Sequence, residues 1–429
     1  MRVLLVNKFH YLKGGSEKYY FELGQLLKEN GHEVAYFSMK DEKNIATGDK
    51  EYFVEPIDLN SGNKLKALDV IYSRNNYKKM LEAIDDFKPD IIHLNNFQRQ
   101  LSASIVKAAY KRKIPMVFTA HDMQAVCPGI TMLDNNKNIC EKCMRGKYYN
   151  CIKKKCNKNS LLKSIIGALE GYYYRFNNIY TKKISCIITP SEFYRKKLIE
   201  DGIKHDKIKA LHNFINLNDY EIETINGDYA LYLGRLSEEK GILNLISAFS
   251  NLNVGKLYIA GDGPEKDIIN EMIKNKNLED KIKMLGFLKP DAVKEAIRNS
   301  RFVVVPSIWY ENCPYSVMET LAIGKPIIGA DIAGIPELVK KEYSGLIYKY
   351  DDINELASKM LYLFDNEEIA KQYGKNAKEQ AVLEYGKEKY YKNILKIYND
   401  VIKKVWRKIE TNIILEKLER KNENARKKT

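Results

Sequence analysis

No stretch of this chain approaches the roughly 18 uninterrupted apolar residues that a helix needs to cross a bilayer, so membrane contact is expected to be peripheral. The opening MRVLLVNKFH carries an apolar run too short for a secretory signal, and Gly14 and Gly15 follow without a small-residue cleavage site, so a cytoplasmic chain is expected. Cysteine is sparse and odd in number: of seven, five fall between Cys127 and Cys156, which argues against a secreted disulfide framework and for thiols or a metal site. Repeats and long low-complexity tracts are lacking, which leaves no reason to expect a solenoid or a disordered chain.

What is there is enough sequence for two cores. The 429 residues exceed what one hydrophobic core usually organises, and domains of about 200 residues each are expected. Hydrophobic residues at 45% and charged residues at 30% are in the globular range. The net charge of +15 is concentrated, because residues 137–163 hold nine Lys or Arg against Glu141 alone. Such a patch suits a diphosphate, anionic lipid headgroups or nucleic acid, and a plain solvated surface equally well.

Apolar periodicity predicts a strand at 2–7, a glycine loop at Gly14 and Gly15, a helix over 16–30 ended by Gly31, and a strand at 33–38. Further strands are expected at 90–94, 116–119 and 186–189, each after a helical stretch. The alternation then starts over with strands at 229–233, 256–260, 281–285, 302–306 and 327–330, which implies two parallel sheets of Rossmann-like type. The polar stretch from Asn213 to Asp228 is the expected join and hinge. Beyond Tyr348 the pattern is helical, and the last residues to Thr429 are expected to fray.

Two motifs carry chemistry. YLGRLSEEKG at 232–241 ends a strand in glycine and sets Arg235 and Lys240 on the loop that opens the next helix, where two cations suit a diphosphate. ENCPYSVMETLAIGKP at 311–326 places Glu311 on a loop and Glu319 within a helix that has Pro314 in its first turn and Gly324 at its C-terminal cap. Each carboxylate can accept bonds from a pair of sugar hydroxyls, and the helix start offers N–H groups to a phosphate.

At this point the chain resembles, nearly throughout to about Lys404, glycosyltransferase family 4 of the GT-B fold, the group 1 glycosyltransferases. AGDGPE at 260–265, LGF at 285–287, VPS at 305–307, GGSEKY at 14–19, PDIIHLNN at 89–96 and TAHDMQAVCP at 119–128 add to the likeness. The resemblance implies that Arg235 and Lys240 bind the donor diphosphate, Glu319 the ribose, and Glu311 and His121 face the transferred sugar. Gly14 and Gly15 form a loop near donor phosphate and acceptor, while His93 is read as structural. It implies an enzyme: a hexosyltransferase that retains anomeric configuration by same-face attack. The donor would be a UDP- or GDP-sugar and the acceptor a glycan or lipid-linked, in cell-surface polysaccharide synthesis. The chain lacks an Asp-x-Asp triplet, so chemistry without a catalytic metal is expected.

The domains expected are 1–215 on the acceptor side with a Cys-rich insertion at 127–158, 216–385 on the donor side, and 386–429 as helices and a basic tail packing back on the first domain. In the insertion, Cys140, Cys143, Cys151 and Cys156 could hold a structural zinc, with Cys127 a substitute ligand; free thiols are the alternative. Leu162, Ile165, Ile166, Leu169, Tyr173, Phe176 and Tyr180 form a stripe at helical spacing after the basic patch, suited to an anionic membrane face or to packing on the domain's own sheet. Rival readings are an epimerase or phosphorylase of the same fold, an inactive sugar-nucleotide sensor, and a nucleic-acid-binding protein. The last is disfavoured because no such motif appears and the 30 tyrosines are scattered rather than interleaved with the cations.

Overall fold

The inner strands of the first half are buried between helices, and the apolar runs that predicted them are those of a parallel sheet covered on both faces. In the computed structural model, which describes residues 1–57, 66–221, 224–225 and 227–426, and the side chains of these apart from 66–67 and 412–426, seven strands form the first sheet. They are β1 (Arg2–Val6), β2 (Glu33–Met39), β3 (Lys50–Val54), β4 (Ile91–Leu94), β5 (Met116–Thr119), β6 (Cys186–Thr189) and β7 (Ile208–Ala210), in spatial order β3-β2-β1-β4-β5-β6-β7. The second sheet holds β8 (Tyr229–Leu233), β9 (Lys256–Ala260), β10 (Ile282–Gly286), β11 (Phe302–Val305), β12 (Ile327–Ala330) and β13 (Gly345–Tyr348), in order β10-β9-β8-β11-β12-β13. The pairings within both sheets are parallel. The architecture is therefore two doubly wound Rossmann-like domains of the GT-B type.

Both sheets reverse their strand order at one place, between β1 and β4 and between β8 and β11, and ligand crevices form outside the strand ends at such points. In the first sheet Val6 lies opposite Leu94, which brings the segments after both strands to one edge. The helix Gly15–Glu29 begins there and buries Tyr19, Tyr20, Leu23, Leu26 and Leu27, spaced three and four apart as one helix face requires. Gly24 in that helix allows it close to β2, since a Cβ there would meet Tyr36 Oη at 2.1 Å. Gly31 takes the left-handed turn (φ 76°) that ends the helix.

The chain crosses between the domains twice. Of the expected join, residues 222, 223 and 226 lie outside the described residues, as do 427–429 of the tail. Beside it runs the second crossing, where Ile215 N–H donates to Tyr385 O at 3.0 Å. The helix Lys387–Arg426 then returns to the first domain and buries Tyr390, Ile394, Tyr398 and Val401 against β1 and the helix Gly15–Glu29. Each such buried side chain contributes about 1.5–3 kcal/mol. Among the described residues no helix is long and apolar enough to cross a membrane.

Three strands escape the apolar-run criterion: β3, β7 and β13. All are sheet edges, paired on one side only, and their segments KEYFV, IKA and GLIY are charged, short or glycine-led. Pro314 stands at the N-cap of the helix Tyr315–Ile323, one position before the expected first turn, while Gly324 caps its end in the left-handed region (φ 87°).

Candidate active site

The strand-end segments of the two domains face one another and enclose a cavity of about 430 Å³. Its lining includes Gly15, Asn96 and His121 from the first domain and Lys240, Trp309 and Glu311 from the second, with the N-terminus of the helix Tyr315–Ile323. Gly15 comes so close to the second domain that a Cβ there would stand 3.2 Å from Tyr315 Cδ2.

Glu311 is 7% exposed, yet its pKa is lowered. Burial alone would raise it, but the Lys240 ammonium and bonds from Lys240, Trp309 and Ser307 outweigh that and hold a charged carboxylate. Trp309 Nε1 donates at 2.8 Å and Ser307 Oγ at 2.9 Å, and Lys240 Nζ forms the ion pair. All three bonds fall on Oε1. A carboxylate has about four acceptor positions, so Oε2 is left to a ligand.

Glu319 lies farther along the same helix, outside the cavity lining. Lys18 of the first domain donates to its Oε1 at 2.5 Å, and Tyr220 Oη donates to the same oxygen at 3.0 Å. Burial opposes the charge on Lys18, but Glu319 and its other neighbours raise the Lys18 pKa overall. As at Glu311, Oε1 is committed to protein donors and Oε2 accepts from none of the described residues.

His121 sits at the end of β5 with its Nε2 donating to Asn95 Oδ1 at 3.0 Å and its ring edge-on to Tyr19 at 4.8 Å. Desolvation among these groups lowers its pKa to about 3, so the imidazole is neutral where it meets the cavity. The loop is held from across the cleft, because Asn312 Nδ2 donates to Ala120 O at 3.1 Å and His121 O at 3.3 Å. His93 is fully buried between Thr119 Oγ1 at 2.7 Å and Tyr398 Oη at 2.5 Å, which ties the returning helix to the sheet.

Arg235 and Gly14 are exposed on their loops and do not line the cavity. Of the expected site residues the structure thus gathers Gly15, His121, Lys240 and Glu311 around one space and sets Glu319 against Lys18 at the domain contact. Lys18, Ser307, Trp309 and Asn312 escaped the sequence reading as functional residues. Lys18, Ser307 and Asn312 sit inside the quoted segments GGSEKY, VPS and ENCPYSVMETLAIGKP, and Trp309 lies between the last two, but a partner across the cleft leaves no trace in local pattern.

Besides burial, Cys127, Cys156 and Cys140 raise the Cys143 pKa, so these thiols share one region of the insertion. Among the described residues no group of three or more His, Cys, Asp or Glu is placed to hold a metal ion, and all seven cysteines are free. Cys143 and Cys151 pack in a small apolar cluster with Tyr148 and Ala168, against which Cys156 also lies. The interaction with Cys151, assisted by Lys154, lowers the Cys156 pKa despite partial burial. Burial raises Cys127 to about 11 and Cys143 to about 12.

Two family models match the chain: "Glycosyltransferase Family 4" over residues 13–219 and "Glycosyl transferases group 1" over 221–380. An uncharacterized glycosyltransferase of Methanocaldococcus jannaschii is 31% identical over 239 residues, covering 55% of this chain and 64% of that protein. The N-acetyl-alpha-D-glucosaminyl L-malate synthase of Bacillus anthracis is 26% identical over 210 residues, 46% of this chain and 54% of that protein. The chain thus spans between half and two thirds of the length of these curated relatives. Among solved structures, Anabaena HepE in complex with UDP superposes with a TM-score of 0.68 at 17% identity, over 93% of this chain and all (100%) of that one, a likeness of fold.

Proposed function

The chain belongs to the glycosyltransferases of family 4 and group 1, and from that premise we propose that it moves a hexose from a UDP- or GDP-sugar to a glycan or lipid-linked acceptor with retention of configuration. The observation that carries this reading is the pair Glu311 and Glu319, each fixed through Oε1 and open at Oε2. Two pre-oriented acceptors on one helix and its leading loop suit the hydroxyls of a sugar and of a ribose. The UDP bound by Anabaena HepE and the alpha-linked product named for the B. anthracis relative support the donor class and retention.

In this reading Lys240, the amides at the start of Tyr315–Ile323 and, after a loop movement, Arg235 take up the charge of the departing diphosphate, as preorganised positive groups do. The lowered pKa of Glu311 keeps a negative group beside the positive character that grows on the sugar. Neutral His121 serves as a hydrogen-bonding group at the reacting face, with Gly14 and Gly15 allowing close backbone approach. The acceptor attacks from the side on which the leaving group departs. These cations do the work for which other transferases use a metal grip, and the lack of an Asp-x-Asp triplet accords with metal-independent transfer. The domains are 1–215, 216–385 and 386–429, hinged at the paired crossings.

The place of work is the inner face of the plasma membrane, in cell-surface polysaccharide synthesis. Leu162, Leu169 and Phe176, seven residues apart, are exposed along one line of the helix Leu161–Phe176, and Phe176 is 87% exposed. Lys153, Lys155, Lys158 and Lys163 are exposed nearby, which suits anionic headgroups at about 1 kcal/mol each. Tyr180 of the expected stripe is buried instead, and Lys154 is paired with Asp134 at 2.6 Å. The test is a panel of UDP- and GDP-sugars offered with vesicle-borne and soluble acceptors, following nucleotide release and the anomer by NMR. A donor consumed with inversion rejects retention, and no donor consumed or bound rejects the activity.

A further inference from the structure

Five of the seven cysteines fall in the insertion, and the backbone folds them toward one another. A turn begins at Cys127, where Ile130 N–H donates to Cys127 O at 2.9 Å, and a hairpin follows, closed by the bridge between Leu133 and Ile139. Cys140 N–H donates to Met132 O at 2.7 Å, so the hairpin returns Cys140 to that turn, and Cys143 follows three residues on. Cys156 reaches the same turn from the far end of the insertion. A Cβ at Gly129 would stand 3.4 Å from Cys156 Cβ and 3.6 Å from Cys127 Sγ, so a single glycine separates the two. Cys151 is fully buried in the cluster with Tyr148 and Ala168.

The surroundings of these sulfurs favour negative charge on them. Burial raises the pKa of Cys127 and Cys143, and neighbouring sulfurs add to it: Cys156 and Cys140 act on Cys127, and all three others on Cys143. Backbone amides oppose that rise, those of Met132 and Gly129 at the Cys127 sulfur and that of Cys151 at Cys143. An amide bond to a thiolate is far stronger than one to a protonated thiol. Lys154 pairs with Asp134 at 2.6 Å, and Asp134, Cys140 and Cys156 all raise its pKa, so its ammonium stands beside two of the sulfurs. Four thiolates around a divalent cation keep an excess of two negative charges. The nine Lys or Arg at 137–163, against Glu141 alone, supply the countercharge.

The unit has little else to hold it. Its helices, Met144–Gly146 and Tyr149–Lys153, span three and five residues, and its own apolar cluster is centred on Cys143, Tyr148, Cys151 and Ala168. Ile130 and Met132, on either side of Thr131, sit in the left-handed region at φ 77° and 54°, a costly conformation for a branched or long side chain. Units with so small a core are commonly held by disulfides or a metal. All seven cysteines here are free.

We infer that Cys127, Cys140, Cys143 and Cys156 bind one zinc ion as four thiolates, with Cys127 in the place that spacing alone assigns to Cys151. A tetrahedral four-sulfur set suits zinc, at about 2.3 Å to each sulfur. The sulfurs are neighbours but do not stand at that spacing among the described residues, so binding draws them inward and releases a proton from each ligand. Cys140 and Cys156 are only half-buried, which gives the metal its way in, whereas Cys151 keeps its apolar seat. The metal is structural. It fixes Ile130 and Thr131, which line the donor cleft, and Glu141, which accepts from Tyr310 Oη of the second domain at 2.7 Å. Its loss loosens one wall of the cleft without touching a reacting atom.

Metal analysis of the full chain, isolated under reducing conditions without chelator, should give about one zinc per chain. Cobalt(II) added to the chelator-treated chain should give the intense sulfur-to-metal charge transfer and the red d–d bands of a tetrahedral four-sulfur site. Cys127→Ser and Cys143→Ser should lower the zinc content at least tenfold, while Cys151→Ala and Cys186→Ala keep it. The cobalt spectrum needs no variant, so the inference stays testable where a serine variant fails to fold. A chain that holds no zinc and gives no such cobalt spectrum overturns it. So does iron in place of zinc, zinc retained in Cys127→Ser, or zinc lost from a folded Cys151→Ala. The readouts are metal content and spectrum rather than sugar transfer, so failure here is distinct from failure of the proposed activity.

Discussion

Replacing Lys240 with Met removes the ammonium that faces Glu311 and leaves a carboxylate that is 7% exposed with only the neutral donors Ser307 and Trp309. Breaking a buried ion pair from one side costs about 3–5 kcal/mol. The Lys240 side chain is 24% exposed, so solvent screens part of this and about 2–3 kcal/mol is expected. The double variant Lys240→Met with Glu311→Gln removes both charges and should lie within about 1 kcal/mol of wild type. Urea denaturation at pH 7.5 and pH 5 separates the two. In the single variant the Glu311 pKa, no longer held down, rises above its unfolded value. The penalty is then full at pH 7.5 and shrinks as the pH falls toward that raised value. Both variants should lose at least tenfold in donor affinity or rate, about 1.4 kcal/mol, because the diphosphate loses a charged partner in each. If the single and double variants unfold alike at both pH values, Glu311 is not desolvated and the charge argument for this site fails.

Glu319→Ala should cut donor affinity at least tenfold, about 1.4 kcal/mol, while Lys18→Met should leave the nucleotide contact in place and alter domain closure, read by small-angle scattering with and without UDP. His121→Ala should lower kcat more than it raises donor Kd, and NMR titration of its ring should show no protonation between pH 7.5 and 5; a midpoint near 6.5 would contradict the desolvated setting. Glu337 of the second domain accepts from Glu192 N–H at 2.7 Å and Phe193 N–H at 2.6 Å of the first, and its pKa is lowered, because these bonds and His212 outweigh burial. A lowered carboxylate pKa stabilises above the ordinary 4.5 and loses that effect as pH falls through the folded value, so Glu337→Gln should flatten the acid limb of the stability profile. With chelator present, iodoacetamide should label Cys156, whose pKa is lowered, ahead of Cys127 and Cys143, whose pKa burial raises; uniform labelling would refute that order.

The sequence made the inner strands legible because a strand covered on both faces must be apolar throughout, as VVV in β11 and II in β4 and β12 are. The edge strands β3, β7 and β13 carry no such demand and were missed. Local motifs located the residues that each domain contributes, since a glycine loop or a helix start is a local event. Pairings across the cleft were not legible: Lys18 and Glu319 are 301 positions apart, and nothing in either neighbourhood refers to the other.

One consequence of the single-oxygen pattern at the two glutamates bears on how much energy donor binding can supply. If Lys18 and Lys240 occupied both oxygens of their partners, a sugar or ribose would have to break an ion pair to bind, and the gain would be the difference between two bonds. With Oε2 left open, each hydroxyl adds a bond to an already charged and oriented acceptor, so neither ion pair need be broken and the ordering cost has been met in folding. The Lys240 ammonium, with the bonds from Trp309 and Ser307, holds the Glu311 pKa down against burial, which preserves its charge at the moment positive character develops on the sugar. A Glu311→Gln variant preserves the shape and the Ser307 and Trp309 geometry but not that charge. It should therefore bind donor within about threefold of wild type while turnover falls at least a hundredfold, about 2.7 kcal/mol. Isothermal titration and initial-rate measurements on the same preparation decide it, and equal losses in binding and turnover would reduce Glu311 to a donor-recognition residue.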